Sequence, residues 1–564
     1  MMTNSLSHIR PDAELLQRLL ALVLIAAVAA WVYVPYLQNP LVFDDGNIFY
    51  TSVLTTAAIA PWEIGIRGLP YFTLGWVETQ IGSMTAHRLI SLALHVVVAY
   101  KLFRFIETLL VLDRTPLLPS VPPAPGHARW IALLVALAFA CHPAAVYGAG
   151  YLVQRTIVFA MLFSLLCFRC LLKALVLNDW RPAVWAAVWG SLSILSKQHA
   201  ILVPVAALAL VTVVPLRPWR DRLKIAGIFF LLSLPLMGHA LHENFGTVGH
   251  VYEPAIHELE SELYGLPALA NGYEKWLLSA STQAQLYFSY ALQWLWPDTH
   301  LMSADLRVDF RRPWTHGGAW FWINAYVALP VAATLLAMRL QRGRLVALAL
   351  TMAAALFPVE MGSVRFQEPY VLYRSYLWAT GYALLAAVLM YHLPRKAGLV
   401  ALALALPLLV LQATDRLDSF SSRRAIWEDA AAKLPKLEIA GSSRILFNRG
   451  GERFKAGKID EAMHDINDAI RLNPNNGRYL IARAVAMIRL GRPQEALAEL
   501  DTASSFLPED SHLMYVQFMA LQALGHTADA DAKLAAAARR GHYAARYEIA
   551  RRLSKDGTVR VLLE

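Results

Sequence analysis

Long, nearly unbroken runs of apolar residues fill the first 415 positions, and polar residues are confined to short gaps between them. Runs of that length can satisfy their own backbone in lipid only as helices. They predict about eleven membrane spans, near 14–36, 86–110, 130–148, 156–177, 183–196, 199–216, 223–241, 318–340, 344–360, 371–393 and 396–413. One further apolar stretch, 282–296, is read as a re-entrant or interfacial helix, because both of its flanks must lie on one side for the later loops to alternate. The first run ends in AAVAAW (Ala26 to Trp31), which resembles a cleavage site, but its length favours an uncleaved signal anchor. After about residue 415 the pattern becomes that of water-soluble helices.

Composition narrows the class. Hydrophobic residues make up 57% of the chain, charged residues 16%, and the mean hydropathy is +0.42. This excludes a disordered chain and an ordinary soluble protein. Three cysteines in 564 residues form no disulfide framework. Cys141, Cys167 and Cys170 fall in or near spans and read as small core residues. The net charge of +10 does not point to nucleic acid, because Lys and Arg are spread between spans and sort by loop. Basic clusters at Arg169, Lys173 and Arg181, at Arg217, Arg220, Arg222 and Lys224, at Arg339, Arg342 and Arg344, and at Arg395 and Lys396 mark inside loops. The outside loops are then 37–85, 142–155, 197–198, 242–317 and 361–370, with the N-terminus inside and the C-terminus outside. The acidic HELESE stretch (His257 to Glu262) reads as a solvated loop.

A 34-residue period runs through the last part of the chain. Gly457, Gly491 and Gly525 keep that step, as do Pro474 and Pro508, and Ala469, Ala503 and Ala537. So do Glu461-Ala462, Glu495-Ala496 and Asp529-Ala530. Helix–turn–helix units of 34 residues, with Gly at the turn and Pro after the second helix, carry the tetratricopeptide signature. About three stacked units form a small solenoid suited to holding a peptide or protein. The expected fold is therefore all-α: a polytopic membrane domain over 1–415 and a helical repeat domain over 416–564.

Candidate chemistry clusters in the outside loops. Asp44 and Asp45 stand side by side just beyond the first span, where a carboxylate pair could supply a general base or hold a divalent cation such as Mg or Mn. Arg67 follows in the same loop. His87, Ser91 and His95 share one helix face and read as a polar stripe toward other helices rather than metal ligands. His142, Gln154 and Arg155 lie in the next outside loop, Lys197 in the one after, and Arg374 slightly inside a span. An intramembrane Arg is expensive and marks function by default. Arg155, Lys197 and Arg374 could bind a lipid phosphate, against snorkelling as the simpler reading. There is no P-loop, no Rossmann glycine pattern and no nucleophile elbow.

In this order the segments FDDGNIFY, YFTLGW, AHRLISLALH, HPAAVYGAGYLVQR, LSKQHA, YRSYLW and RRAIWEDAAAKLPK resemble GT-C-type membrane glycosyltransferases with C-terminal tetratricopeptide repeats. That group includes bacterial inner-membrane proteins and eukaryotic O-mannosyltransferases. The resemblance implies transfer of a sugar from a polyprenyl-phosphate donor to an acceptor on the outer face of the membrane. It puts catalysis on Asp44 and Asp45, and phosphate contacts on Arg155, Lys197 and Arg374. Gln198 stands where related sequences often have Glu, and Tyr373 where His is common. The expected activity is protein O-glycosylation on the periplasmic face of a bacterial inner membrane, with the acceptor held by the repeats. Its rivals are glycosylation of a lipid or surface polysaccharide, and a non-enzymatic scaffold.

Overall fold

A computed structural model describes residues 11–113, 126–212, 218–250, 259, 262–263, 272–310 and 318–555. Among these residues the chain is helical, and the only pairing of extended backbone is a single bridge between Leu306 and Tyr370. Contacts divide it into two units. The first comprises the described residues of 1–253, 267–306 and 310–426; the second, those of 254–266, 307–309 and 427–564. Composition shifts near 415, whereas the contact boundary falls eleven residues later, between Ile426 and Trp427.

The principal helices of the first unit are α1 (Pro11–Tyr33), α2 (Asp44–Phe49), α3 (Val53–Ile59), α4 (Gly68–Gln80) and α5 (Met84–Leu112). They continue with α6 (His127–Ala140), α7 (Pro143–Ala149), α8 (Arg155–Leu177), α9 (Arg181–Ser196) and α10 (Trp219–Glu243). Then come α11 (Gly272–Leu295), α12 (Ala319–Leu340), α13 (Arg344–Leu356), α14 (Ser375–Tyr391) and α15 (Arg395–Ser419). Among the described residues, seven segments are long and apolar enough to cross a membrane: Glu14–Tyr36, Met84–Leu112, Leu152–Leu177, Trp219–Glu243, Trp320–Leu340, Arg344–Met361 and Lys396–Ser419. An eighth arises if α6 and α7, bent by 64°, count as one span. The bend sits at Pro143, which lacks the N–H that would continue α6, while His142 caps the new helix through the Ala144 N–H.

The remaining stretches read as spans are shorter than the roughly 20 residues that cross a hydrocarbon core. α9 has 16 residues and α14 has 17, and the chain from Gln198 to Thr212 is a series of short helical turns. α11 begins at Gly272, ten residues before the stretch read from hydropathy, and is 24 residues long.

Exposed and interior apolar helices separate by burial. Only 11% of the apolar window of α12 and 17% of that of α15 is covered by protein, against 67% around α8. The uncovered surface of α12 includes Val331, Leu335, Leu336 and Met338, as a helix against lipid requires. α13 and α14 approach closely at Gly381, where an added Cβ would lie 2.6 Å from the Ala349 carbonyl oxygen. Small residues let membrane helices meet backbone to backbone.

Hydrogen bonds join the loops that charge places outside. Arg67 N–H donates to Leu195 O at 2.7 Å, Asp44 N–H to the Tyr151 hydroxyl at 2.9 Å, and Gly249 N–H to Gly362 O at 2.7 Å. Asn39 Nδ2 donates to Leu417 O at 2.9 Å, and Arg88 donates to Asn39 O and Gly150 O. These loops therefore gather at one end of the first unit.

The second unit contains α16 (Ser442–Lys455), α17 (Ile459–Leu472), α18 (Gly477–Arg489), α19 (Pro493–Phe506), α20 (Ser511–Ala523), α21 (Thr527–Arg539) and α22 (Tyr543–Lys555). Gly457, Gly491 and Gly525 each have φ between +75° and +79°, the left-handed turn for which glycine is suited. Ala462, Ala496, Ala469, Ala503 and Ala537 are fully buried where consecutive helices meet. The 34-residue period thus records small residues at helix contacts.

The acidic loop departs from its sequence reading. Glu262 is buried; Gly441 N–H, the Ser443 hydroxyl and Asn473 Nδ2 all donate to its carboxylate. His257, Glu258, Glu260 and Ser261 lie outside the described residues.

Candidate functional site

The site is built from the loop after α1. Phe43 has φ +45° and ψ −122°, costly for a bulky residue, so its surroundings must hold it there. Asp45 supplies the hold. It is fully buried; one carboxylate oxygen accepts the Val153 N–H at 2.8 Å, the other the Val42 N–H at 3.2 Å. Burial pushes its pKa up to about 7, opposed by the two N–H groups and by Arg88.

Asp44 and Asp45 open α2, and successive helical residues point about 100° apart. Asp44 is exposed while Asp45 is buried. Among the described residues no group of three or more His, Cys, Asp or Glu converges.

From Asp44 a line of side chains leads to the cations. The Tyr151 ring meets Phe43 on one side and Tyr373 on the other, with centroids 6.2 Å and 6.1 Å apart. Lys197 Nζ lies 5.3 Å from the Tyr373 ring centre and donates to Gln154 Oε1 at 3.0 Å and Thr156 Oγ1 at 3.4 Å. Arg374 lies 5.7 Å from the same ring. The site thus brings Asp44, Asp45, Gln154, Lys197 and Arg374 into one neighbourhood.

The charge of Arg374 is already matched. Its guanidinium donates to Glu360 at 2.9 Å and Glu368 at 3.0 Å. Glu360 is fully buried, 3.2 Å from Arg365 Nε and 3.1 Å from His199 Nε2. Sequence reading missed this cluster, although Glu360 follows the apolar AAALFPV run and an acid at that depth is a functional signal.

Arg155 sits among three helices. It is fully buried and donates to Ser91 Oγ at 3.1 Å, Thr73 Oγ1 at 3.3 Å and His87 O at 2.7 Å, tying α8 to α4 and α5. His87 is buried with Nε2 3.0 Å from Glu78. His95 is held by the Tyr376 hydroxyl at 2.7 Å and Ala140 O at 3.0 Å. The carbonyl can only accept, so Nε2 of His95 carries the proton and Nδ1 accepts from Tyr376. The stripe His87, Ser91 and His95 thus faces other helices. His142 stacks on Trp294, away from these groups.

Arg67 adopts a left-handed φ of +86°, and its Nε donates to Gln198 Oε1 at 2.9 Å. Both line a cleft of about 670 Å³. Arg365, His199 and Asn244 add polar groups to it; Ile201, Leu234, Met237 and Leu241 form an apolar wall. Cations beside hydrocarbon suit a phosphate attached to a lipid chain.

Comparison with known proteins bears on the second unit. Residues 453–516 match the tetratricopeptide repeat family. The match covers α17 to α19 with parts of α16 and α20. No curated protein matches the chain.

Proposed function

We propose that this chain is a membrane glycosyltransferase of the GT-C type, moving a sugar from a polyprenyl-phosphate donor to a protein hydroxyl presented by a tetratricopeptide solenoid. One observation carries the reading: an exposed carboxylate, Asp44, fixed by a buried one, Asp45, stands one pair of rings away from Lys197. The amphipathic cleft supports it, with Arg67 and Arg365 for the phosphate and the apolar wall for the first part of the lipid.

In this mechanism Asp44 accepts the proton of the acceptor hydroxyl as its oxygen attacks the anomeric carbon. The bond from that carbon to the phosphate oxygen breaks, and the electron pair leaves on the phosphate. Lys197 and Arg67 stabilise the growing negative charge. Asp45 holds the loop, Arg155 braces three helices, and Arg374 sets the Glu360 cluster. No step is routed through a metal.

Localisation in a bacterial inner membrane, with about eleven spans and the repeats periplasmic, belongs to the same reading. It is supported by the joined outside loops and by the described residues of 254–266 and 307–309, which belong to the repeat unit. A loop bonded to the repeats must share their compartment. Alkaline phosphatase fused after Glu564 should be active; inactivity would reverse the topology.

The deciding experiment is turnover of a radiolabelled polyprenyl-phosphate sugar by the purified protein with periplasmic protein as acceptor. Label should enter protein with the wild type and not with Asp44→Asn. Equal labelling by both would overturn the assignment. Label entering only lipid or polysaccharide would shift the acceptor class, and turnover by neither would leave the scaffold reading.

A further inference from the structure

The proposed mechanism leaves one cleft of the first unit unused, at the turn between α8 and α9. The turn passes through Asn178, which has φ +56°. α8 runs for 23 residues, roughly 35 Å, so the turn lies about a membrane's thickness from the end that carries Arg155 and Lys197. A groove of about 560 Å³ opens there between the two helices. Its walls follow helical spacing, with Lys173 and Leu177 on α8 and Arg181, Trp185 and Trp189 on α9. Trp185 and Trp189 follow Arg181 by one and two turns, roughly 6 Å and 12 Å further from the turn end.

The charges in this groove are open. Among the described residues, neither the Lys173 ammonium nor the Arg181 guanidinium forms an ion pair. Asp179, the acid in the groove's lining, is turned onto the chain: its Oδ1 accepts the backbone N–H of Arg181 at 3.0 Å. The apolar side is fixed in part, because Trp189 stacks on Phe163 with centroids 5.7 Å apart. Trp185, one turn nearer the cations, is 59% exposed. The groove is thus cationic at the end of the helices and aromatic toward their middle.

We propose that this groove binds an anionic phospholipid from the leaflet on the side of the basic loops. The lipid phosphate lies between Lys173 and Arg181, and an acyl chain runs along Leu177, Trp185 and Trp189. Basic pockets between membrane helices take anionic head groups in this way. Arg offers the phosphate a planar fork and Lys a point charge. A zwitterionic head group would bring its own cation to these two. Free phosphate would leave the tryptophan wall without a partner, and snorkelling cations alone would need no groove. The inference requires the helices to lie in a membrane and does not depend on the glycosyltransferase reading.

The test is native mass spectrometry of the full-length protein in detergent, with dioleoyl-phosphatidylglycerol and dioleoyl-phosphatidylcholine as probes. The two lipids share their acyl chains, so a difference reports the head group. Phosphatidylglycerol should bind about tenfold tighter or more, as two cations near one phosphate imply. Lys173→Gln and Arg181→Gln, both at exposed positions, should each weaken it about fivefold and leave phosphatidylcholine unchanged. Trp185→Ala should weaken both lipids alike, because the ring meets only the acyl chain. Lys224→Gln, in another basic loop and outside this groove, should change neither. Equal affinity for the two lipids, or an equal effect of Lys224→Gln and the groove variants, would mean ordinary lipid contact and overturn the proposal. Displacement of the lipid by millimolar inorganic phosphate would make this a small-anion site and overturn it as well.

Discussion

Asp45 holds its proton up to about pH 7, and its two oxygens receive the N–H groups that keep Phe43 in its costly conformation. Because burial raises the pKa, the carboxylate that accepts both N–H groups exists fully only above that pH. Transfer should therefore rise with pH through about 7 and then level off. Asp45→Asn should flatten this acid limb and keep residual turnover, whereas Asp44→Asn should lower kcat by about 10²–10⁴-fold, the usual worth of a general base. Equal loss in both variants would remove the division of labour. Arg374→Ala should act on stability: it leaves Glu360 with one cation fewer, and breaking a buried pair costs about 3–5 kcal/mol. Thermal unfolding in detergent measures this, and an unchanged midpoint would return Arg374 to the donor phosphate. At this scale adjacency made the acidic pair legible, but spacing could not say which acid is buried. That depends on Val153, 108 positions away. Glu360 and Glu368 went unseen because their partner Arg374 was read for its charge alone.

Helices were legible wherever an apolar run was long. The hydropathy of α1, α5, α8, α10, α12, α13 and α15 placed each within a few residues. In three stretches, 183–196, 199–216 and 371–393, the described helices are too short for hydropathy to tell a span from a core element. The contact at Gly381 was invisible, since a lone glycine does not name its neighbour. Gly381→Val should force α14 away from α13, with Ala349 O and the Ala353 side chain in the way. The expected result is loss of monodisperse protein on extraction; a well-folded variant would show that the helices can slide apart freely. Gly75→Ala should similarly separate α4 from α3, where the new methyl would overlap the Leu54 carbonyl oxygen. That shift would disturb the loop carrying Asp44, so kcat should fall with little change in thermal midpoint.

For the whole molecule, the repeats were the most legible part, because a 34-residue step in Gly, Ala and Pro is a spatial repeat written directly into the chain. That Leu259, Glu262 and Leu263 belong to the same unit was not legible: acidic residues without Lys or Arg look solvated, and Glu262 is buried only because Gly441, Ser443 and Asn473 come to meet it. Glu262→Ala would remove the acceptor of the buried Gly441 N–H, at about 1–3 kcal/mol, while Ser443 keeps the Tyr479 hydroxyl. The fragment 427–564 alone should accordingly melt below the same region in the intact chain and gain stability from an added 254–266 peptide. Equal midpoints with and without peptide would make the loop a passenger.

The carboxylate of Glu262 and its partners are 179 to 211 positions apart. At translation rates of about 5–20 residues per second, the loop waits on the order of ten to forty seconds for the ribosome to supply them. The loop therefore waits for the repeat unit, whereas the repeat unit can meet the loop as it is made. It closes on a segment made long before, and a chain stalled before Asn473 still lacks the last of the three donors to Glu262.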